Sequence, residues 1–108
     1  MKKMKVLVLA ASTVVLSLGA VANASAEDAM ALAQKSGCLA CHQVDTKVVG
    51  PAYKDVAAKY RGQDVLDKLV AKVKNGGSGV WGPVPMPPNV NVSEADIKTI
   101  VTWILSLK

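Results

Sequence analysis

Cys38-Leu39-Ala40-Cys41-His42 is the stretch on which the reading of this chain turns. C-x-x-C-H is the attachment signature for c-type haem. The spacing has a physical reason: two thioether bonds must reach two vinyl groups along one porphyrin edge, and the next residue must turn its imidazole under the iron. His42 is the only His in the sequence, so it is the only imidazole ligand on offer. Three other uses of the residues compete. A Cys38–Cys41 disulfide would close too short a loop to stabilise much. A thioredoxin-type dithiol belongs on a βαβ scaffold, and strand signals are absent. A four-ligand zinc site would need carboxylates to complete it. Haem attachment is the reading that agrees with the rest of the chain.

The residues before the motif read as an address. Lys2, Lys3 and Lys5 precede an apolar run from Val6 to Val21, and Ala24-Ser25-Ala26 gives the small-x-small pattern of a cleavage site. Basic start, apolar centre and small exit together make a secretory signal peptide over residues 1–26. The run is short against the ~20 residues that span a bilayer, so cleavage after Ala26 is expected rather than retention as an anchor. The expected mature domain, residues 27–108, then sits in the periplasm, exported and soluble. Three of the 13 basic residues leave with the signal and none of the 8 acids does. The formal charge of +5 therefore falls to +2, which removes the case for a nucleic-acid surface.

Downstream the pattern is helical. Asp28 to Lys35 reads as a first helix, with acids at its start and a stop at Gly37. Tyr53, Val56, Ala57 and Tyr60 recur at i, i+3, i+4, i+7 within Ala52 to Arg61, and Leu66, Leu69, Val70 and Val73 repeat that spacing within Asp64 to Lys74. Ser93-Glu94-Ala95-Asp96 resembles a capping box, and Ile97, Ile100, Val101 and Ile104 form the stripe of a last helix. No strand alternation stands out. The segment from Gly76 to Asn91, rich in Gly and Pro, reads as a long irregular loop, which in a compact domain is usually functional. The fold class is all-α, with three or four helices wrapped around one covalently bound haem. Tyr53 and Tyr60 read as helix-face packing, and so does Trp103.

The candidates for the second axial position are Met30, Met86, the lysines or nothing. Met30 lies on the first helix and reads as core filling. Met86 lies in Val84-Pro85-Met86-Pro87-Pro88, where the flanking prolines lower the entropy lost in fixing one side chain. Met86 is therefore the expected ligand. His/Met ligation raises the reduction potential and fills both axial positions, which suits electron transfer rather than catalysis. A haem enzyme or gas sensor with a labile sixth position is the alternative, and a redox dithiol protein a third.

Taken together, Cys38-Leu39-Ala40-Cys41-His42, Val49-Gly50-Pro51-Ala52-Tyr53, Gly79-Val80-Trp81-Gly82, Pro85-Met86-Pro87-Pro88 and Trp103-Ile104-Leu105-Ser106 resemble the short bacterial class I c-type cytochromes, over essentially all of residues 27–108. The resemblance implies a small class I cytochrome c fold and a periplasmic monohaem electron carrier, not an enzyme. Its partners would be transient redox proteins: a respiratory donor, and nitrite reductase, peroxidase or a terminal oxidase as acceptor, with the carrier a monomer. It implies that the Pro51 carbonyl accepts the His42 ring N–H, that the Trp81 indole N–H contacts a haem propionate, and that Asn89 hydrogen-bonds near the Met86 sulfur. Lys72 falls where relatives carry an Arg on a propionate. Small apolar residues (Val48, Val49, Val84, Pro85, Pro87) would rim an exposed haem edge, with Lys35, Lys47 and Lys54 around it.

A domain of this size, with no Phe, has little with which to build a core. The haem is expected to be part of it. A Cys38→Ala/Cys41→Ala variant, followed by circular dichroism, should show no cooperative melt near that of the haem-bearing protein. A matching melt would contradict this.

Overall fold

The last helix organises the molecule, because its stripe of four branched aliphatics must be covered. The computed structural model describes residues 25–108; the basic and apolar parts of the expected export signal lie outside the described residues. Helix α1 spans Ala26–Lys35, α2 Tyr53–Tyr60, α3 Leu66–Asn75 and α4 Glu94–Leu105. Helix α4 packs against all three others. Ile97, Ile100, Val101 and Ile104 on it are all buried. Ile100 and Ile104 join Ala33 of α1 and Tyr53 of α2 in one cluster; Ile97 and Val101 join Val70 of α3 in a second. Among the described residues no helix is long and apolar enough to cross a membrane.

The helix ends follow the sequence signals closely. Ser93 caps α4, its hydroxyl accepting from the Asp96 N–H at 3.1 Å. Ser25 caps α1 in the same way, accepting from the Asp28 N–H at 3.2 Å. The acids Glu27 and Asp28 sit in the first turn of α1, where the helix dipole favours them. Helix α3 begins at Leu66, two residues later than the periodicity suggested.

The segment between α3 and α4 differs from the expected irregular loop. It carries a small antiparallel hairpin, β1 (Gly77–Gly79) and β2 (Gly82–Met86), joined through Val80 and Trp81. Gly77 pairs with Met86 and Gly79 with Gly82. The alternation that announces a strand cannot show here, because Gly supplies no side chain and Pro83 and Pro85 supply no N–H to the ladder. Gly76 closes the far end. Its φ of +73° lies in the left-handed region, and a Cβ there would stand 2.5 Å from the Met86 carbonyl oxygen and 2.8 Å from the Pro88 nitrogen. The Met86 strand thus lies directly against the end of α3, at a point where only glycine fits.

Two substitutions test this architecture. Ile97→Ala, at a position only 1% exposed, should cost about 2–5 kcal/mol in denaturant unfolding, against about 0.5 kcal/mol or less for the exposed Lys98→Ala. Gly76→Ala should cost more than the ~1–3 kcal/mol of a residue held in a sparsely populated backbone region, because its methyl group also meets Met86. A smaller loss would show that the hairpin gives way.

Candidate functional site

Helix α1 stops at Lys35, and after Gly37 the chain turns tightly through a 3₁₀ segment, Cys38–Ala40. The Cys41 and His42 N–H groups both donate to the Cys38 carbonyl, at 3.2 and 3.0 Å. The two cysteines and the histidine therefore lie on one compact turn. Both thiols are unbridged and partly buried. Burial is the main cause that pushes the Cys38 thiol above its ordinary range.

The following loop is tied back onto this turn. The Gly50 N–H donates to the Cys41 carbonyl at 2.8 Å, the Tyr53 N–H to Gln43 at 2.9 Å and the Lys54 N–H to Val44 at 3.0 Å. Lys54 Nζ pairs with Asp45 at 2.5 Å, so its charge is partnered. The loop places the Pro51 carbonyl 2.8 Å from His42 Nδ1. A carbonyl can only accept, so Nδ1 carries a proton, and in the neutral ring the lone pair then falls on Nε2. Gly50 leans on the same ring: a Cβ there would overlap Cε1 and come within 2.7 Å of Nδ1. The Tyr53 ring stacks on the imidazole with centroids 5.1 Å apart and planes 20° apart. Trp103 meets Tyr53 edge-on at 5.7 Å. Burial pushes the Tyr53 hydroxyl well above its ordinary range, and that hydroxyl lies beside the Cys38 thiol.

His42 opens into a cavity of about 400 Å³ walled by α2, α3, the hairpin and α4. Most of the wall is apolar, with Tyr60, Leu69, Val73, Ile97 and Val101 among the residues lining it. Cys38, His42, Pro51, Lys72, Trp81, Met86 and Asn89, seven residues singled out from the sequence, all line this one cavity. Met30 does not. It lies in a separate shallow groove with Glu27 and Trp103.

The arms around Met86 are held from α3. The Asn89 N–H donates to the Val73 carbonyl at 3.1 Å, and its side-chain amide donates to Val73 at 3.2 Å and to Pro87 at 3.4 Å. The resemblance placed that amide near the Met86 sulfur; here it is engaged by main-chain carbonyls. The reason is that the last carbonyls of α3 have no partner within the helix. Lys72 reaches from α3 towards the hairpin, its Nζ within 2.5 Å of where a Cβ on Gly77 would be. Trp81, 42% exposed, lies under the Lys59 ammonium, 5.5 Å from the ring centroid, a cation–π contact between α2 and the hairpin.

This donor set fits a haem bound through the motif. One imidazole has its outer nitrogen committed and its inner one free, a thioether shares its cavity, and two thiols sit on the turn that presents the imidazole. Among the described residues no three His, Cys, Asp or Glu side chains converge as a metal site, so a zinc centre has no cluster to occupy. The periodicity did not reveal three contributors: Gly50, Tyr53 and Gly76. The resemblance implied the Pro51 carbonyl as the acceptor for His42, but not that Gly50 would lie against the same ring.

Comparison with known proteins agrees. The cytochrome c family profile matches residues 26–108. The cytochrome c-551 of Allochromatium vinosum is 66% identical over 79 residues, 72% of this chain and 84% of that protein. The cytochrome c-551 of Pseudomonas aeruginosa is 50% identical over the full length of both. The crystal structure of wild-type Nitrosomonas europaea cytochrome c552 superposes with a TM-score of 0.71 at 61% identity, covering 73% of this chain and 99% of that one. The chain belongs to the cytochrome c family: a small class I c-type cytochrome that carries one covalently bound haem c and serves as an electron carrier rather than an enzyme.

Proposed function

We propose that the haem is attached through Cys38 and Cys41, that His42 Nε2 and the Met86 sulfur are its axial ligands, and that the carrier works in the periplasm. The observation that supports the ligand pair is their shared cavity, with His42 Nδ1 committed to Pro51 at 2.8 Å. When bound, the haem supplies one-electron Fe(III)/Fe(II) exchange. The protein's part is to hold, tune and shield. The Pro51 carbonyl fixes the imidazole tautomer and raises its basicity as a ligand. The pairing of β2 with β1, the Gly76 contact and the Asn89 amide together fix the backbone on either side of Met86. A thioether paired with an imidazole favours the ferrous state and raises the potential. The aliphatic side chains of α3 and α4 keep water from the centre. Lys72 is the cation suited to a propionate, as a point charge rather than a bidentate fork, and Trp81 at the hairpin turn is the indole donor suited to the same group.

Cleavage after Ala26 yields a mature chain starting at Glu27. It also removes the Ser25 cap, which is worth about 1 kcal/mol to a helix, and leaves Glu27 and Asp28 to favour the exposed N-terminus. Val48, Val49, Val80 and Val84 are each half exposed or more. They form the apolar rim for short-lived docking of a respiratory donor and of nitrite reductase, peroxidase or a terminal oxidase. A small patch of this kind suits a weak redox encounter. Lys35 and Lys47 are the cations left to steer it, since Lys54 is paired with Asp45.

The ligand assignment is tested at Met86. Met86→Ala should lower the reduction potential sharply and turn the ferric spectrum towards high spin, whereas Met30→Ala should leave the potential in place. An unchanged potential in Met86→Ala would assign the position to another residue.

A further inference from the structure

We propose that Tyr53 is the positioning residue that sets the plane of the His42 imidazole. This rests on the reading of His42 as an axial ligand and goes a step beyond it. The hydrogen bond to Pro51 fixes one atom of the ring, Nδ1, at 2.8 Å from its acceptor. The ring also hangs from its own Cβ, so this contact restrains its rotation about Cβ–Cγ, but a hydrogen bond tolerates a broad range of angles, and a face-to-face neighbour narrows the plane further. The Tyr53 ring is that neighbour. The two rings are stacked with centroids 5.1 Å apart and only 20° between their planes, an offset arrangement that aromatic pairs prefer.

Tyr53 can impose an orientation because its own is over-determined. It is 4% exposed, the first residue of α2, and it packs with Ala33 of α1 and with Ile100 and Ile104 of α4. Its N–H is held by the Gln43 carbonyl at 2.9 Å. Its ring is met edge-on by Trp103 at 83°. Three helices therefore fix one aromatic plane, and that plane is passed to the imidazole. Gly50 permits the arrangement, since any side chain there would overlap the histidine. The flat face, not the hydroxyl, carries this role, which separates it from ordinary core filling: an aliphatic residue of similar bulk fills the space but offers no plane. The plane of an axial imidazole, together with the orientation of the other axial ligand, governs how unpaired spin is distributed over a ferric porphyrin, so the consequence is electronic.

The test is proton NMR of the ferric, haem-bearing protein, reading the contact-shifted haem methyl resonances. Tyr53→Phe should keep their order and spread. Tyr53→Leu should reorder or compress them while the absorption spectrum stays low-spin. A Tyr53→Leu variant with the unaltered methyl pattern would overturn the proposal. Should the leucine variant fail to yield the haem-bearing protein, the unsubstituted protein still decides: cross-relaxation between Tyr53 and His42 ring protons is expected, and its absence overturns the stacking. A high-spin spectrum in the unsubstituted protein is a different failure. It would remove the axial assignment itself, whatever Tyr53 does.

Discussion

An apolar cavity of about 400 Å³ at the meeting of α2, α3, α4 and the hairpin is the constraint to which the rest of the structure answers. Its wall is mostly apolar, and covering apolar surface is the main force that holds a domain together. The chain has no Phe with which to fill the cavity. The stripe on α4 is long enough to cover α1 and α2 at one end and α3 at the other, and what lies between must come from elsewhere. The haem c of the family is therefore both the redox group and part of the core.

Rigidity is concentrated at His42 and Met86, the two proposed axial ligands. His42 is carried on a tight turn and held by a carbonyl, a glycine contact and a stacked tyrosine. Met86 is carried on a strand whose prolines limit its freedom and whose partners are the end of α3 and the Asn89 amide. Neither relies on a flexible loop. A redox centre that keeps the same ligands in both oxidation states has less to rearrange, and the geometry here opposes rearrangement from both sides.

Much of this was legible in the sequence, for identifiable reasons. Three helices were visible because each carries its apolar residues at a 3.6-residue period, the first was visible from the acids at its start and the Gly37 stop, and Ser93 announced the start of α4. The C-x-x-C-H spacing and the proline-flanked Met86 were local signals, and both fall on the cavity. The hairpin was hidden because Gly and Pro erase the alternation by which strands are recognised. Tyr53 read as packing because its contact with His42 spans a loop that no periodicity describes. Gly76 was visible as punctuation and Gly50 within the family motif, but the atoms they make room for lie across a turn that no periodicity describes. Asn89 was placed in the right region, with a partner that only the end of α3 explains.

Whether one haem, held by this motif, lies in the cavity with His42 and Met86 on its iron is read most directly from the absorption spectrum of the ferric protein purified after export. A low-spin spectrum is expected, with a methionine-to-iron charge-transfer band that disappears on Met86→Ala. A high-spin spectrum, or a band that survives that substitution, would contradict that ligation.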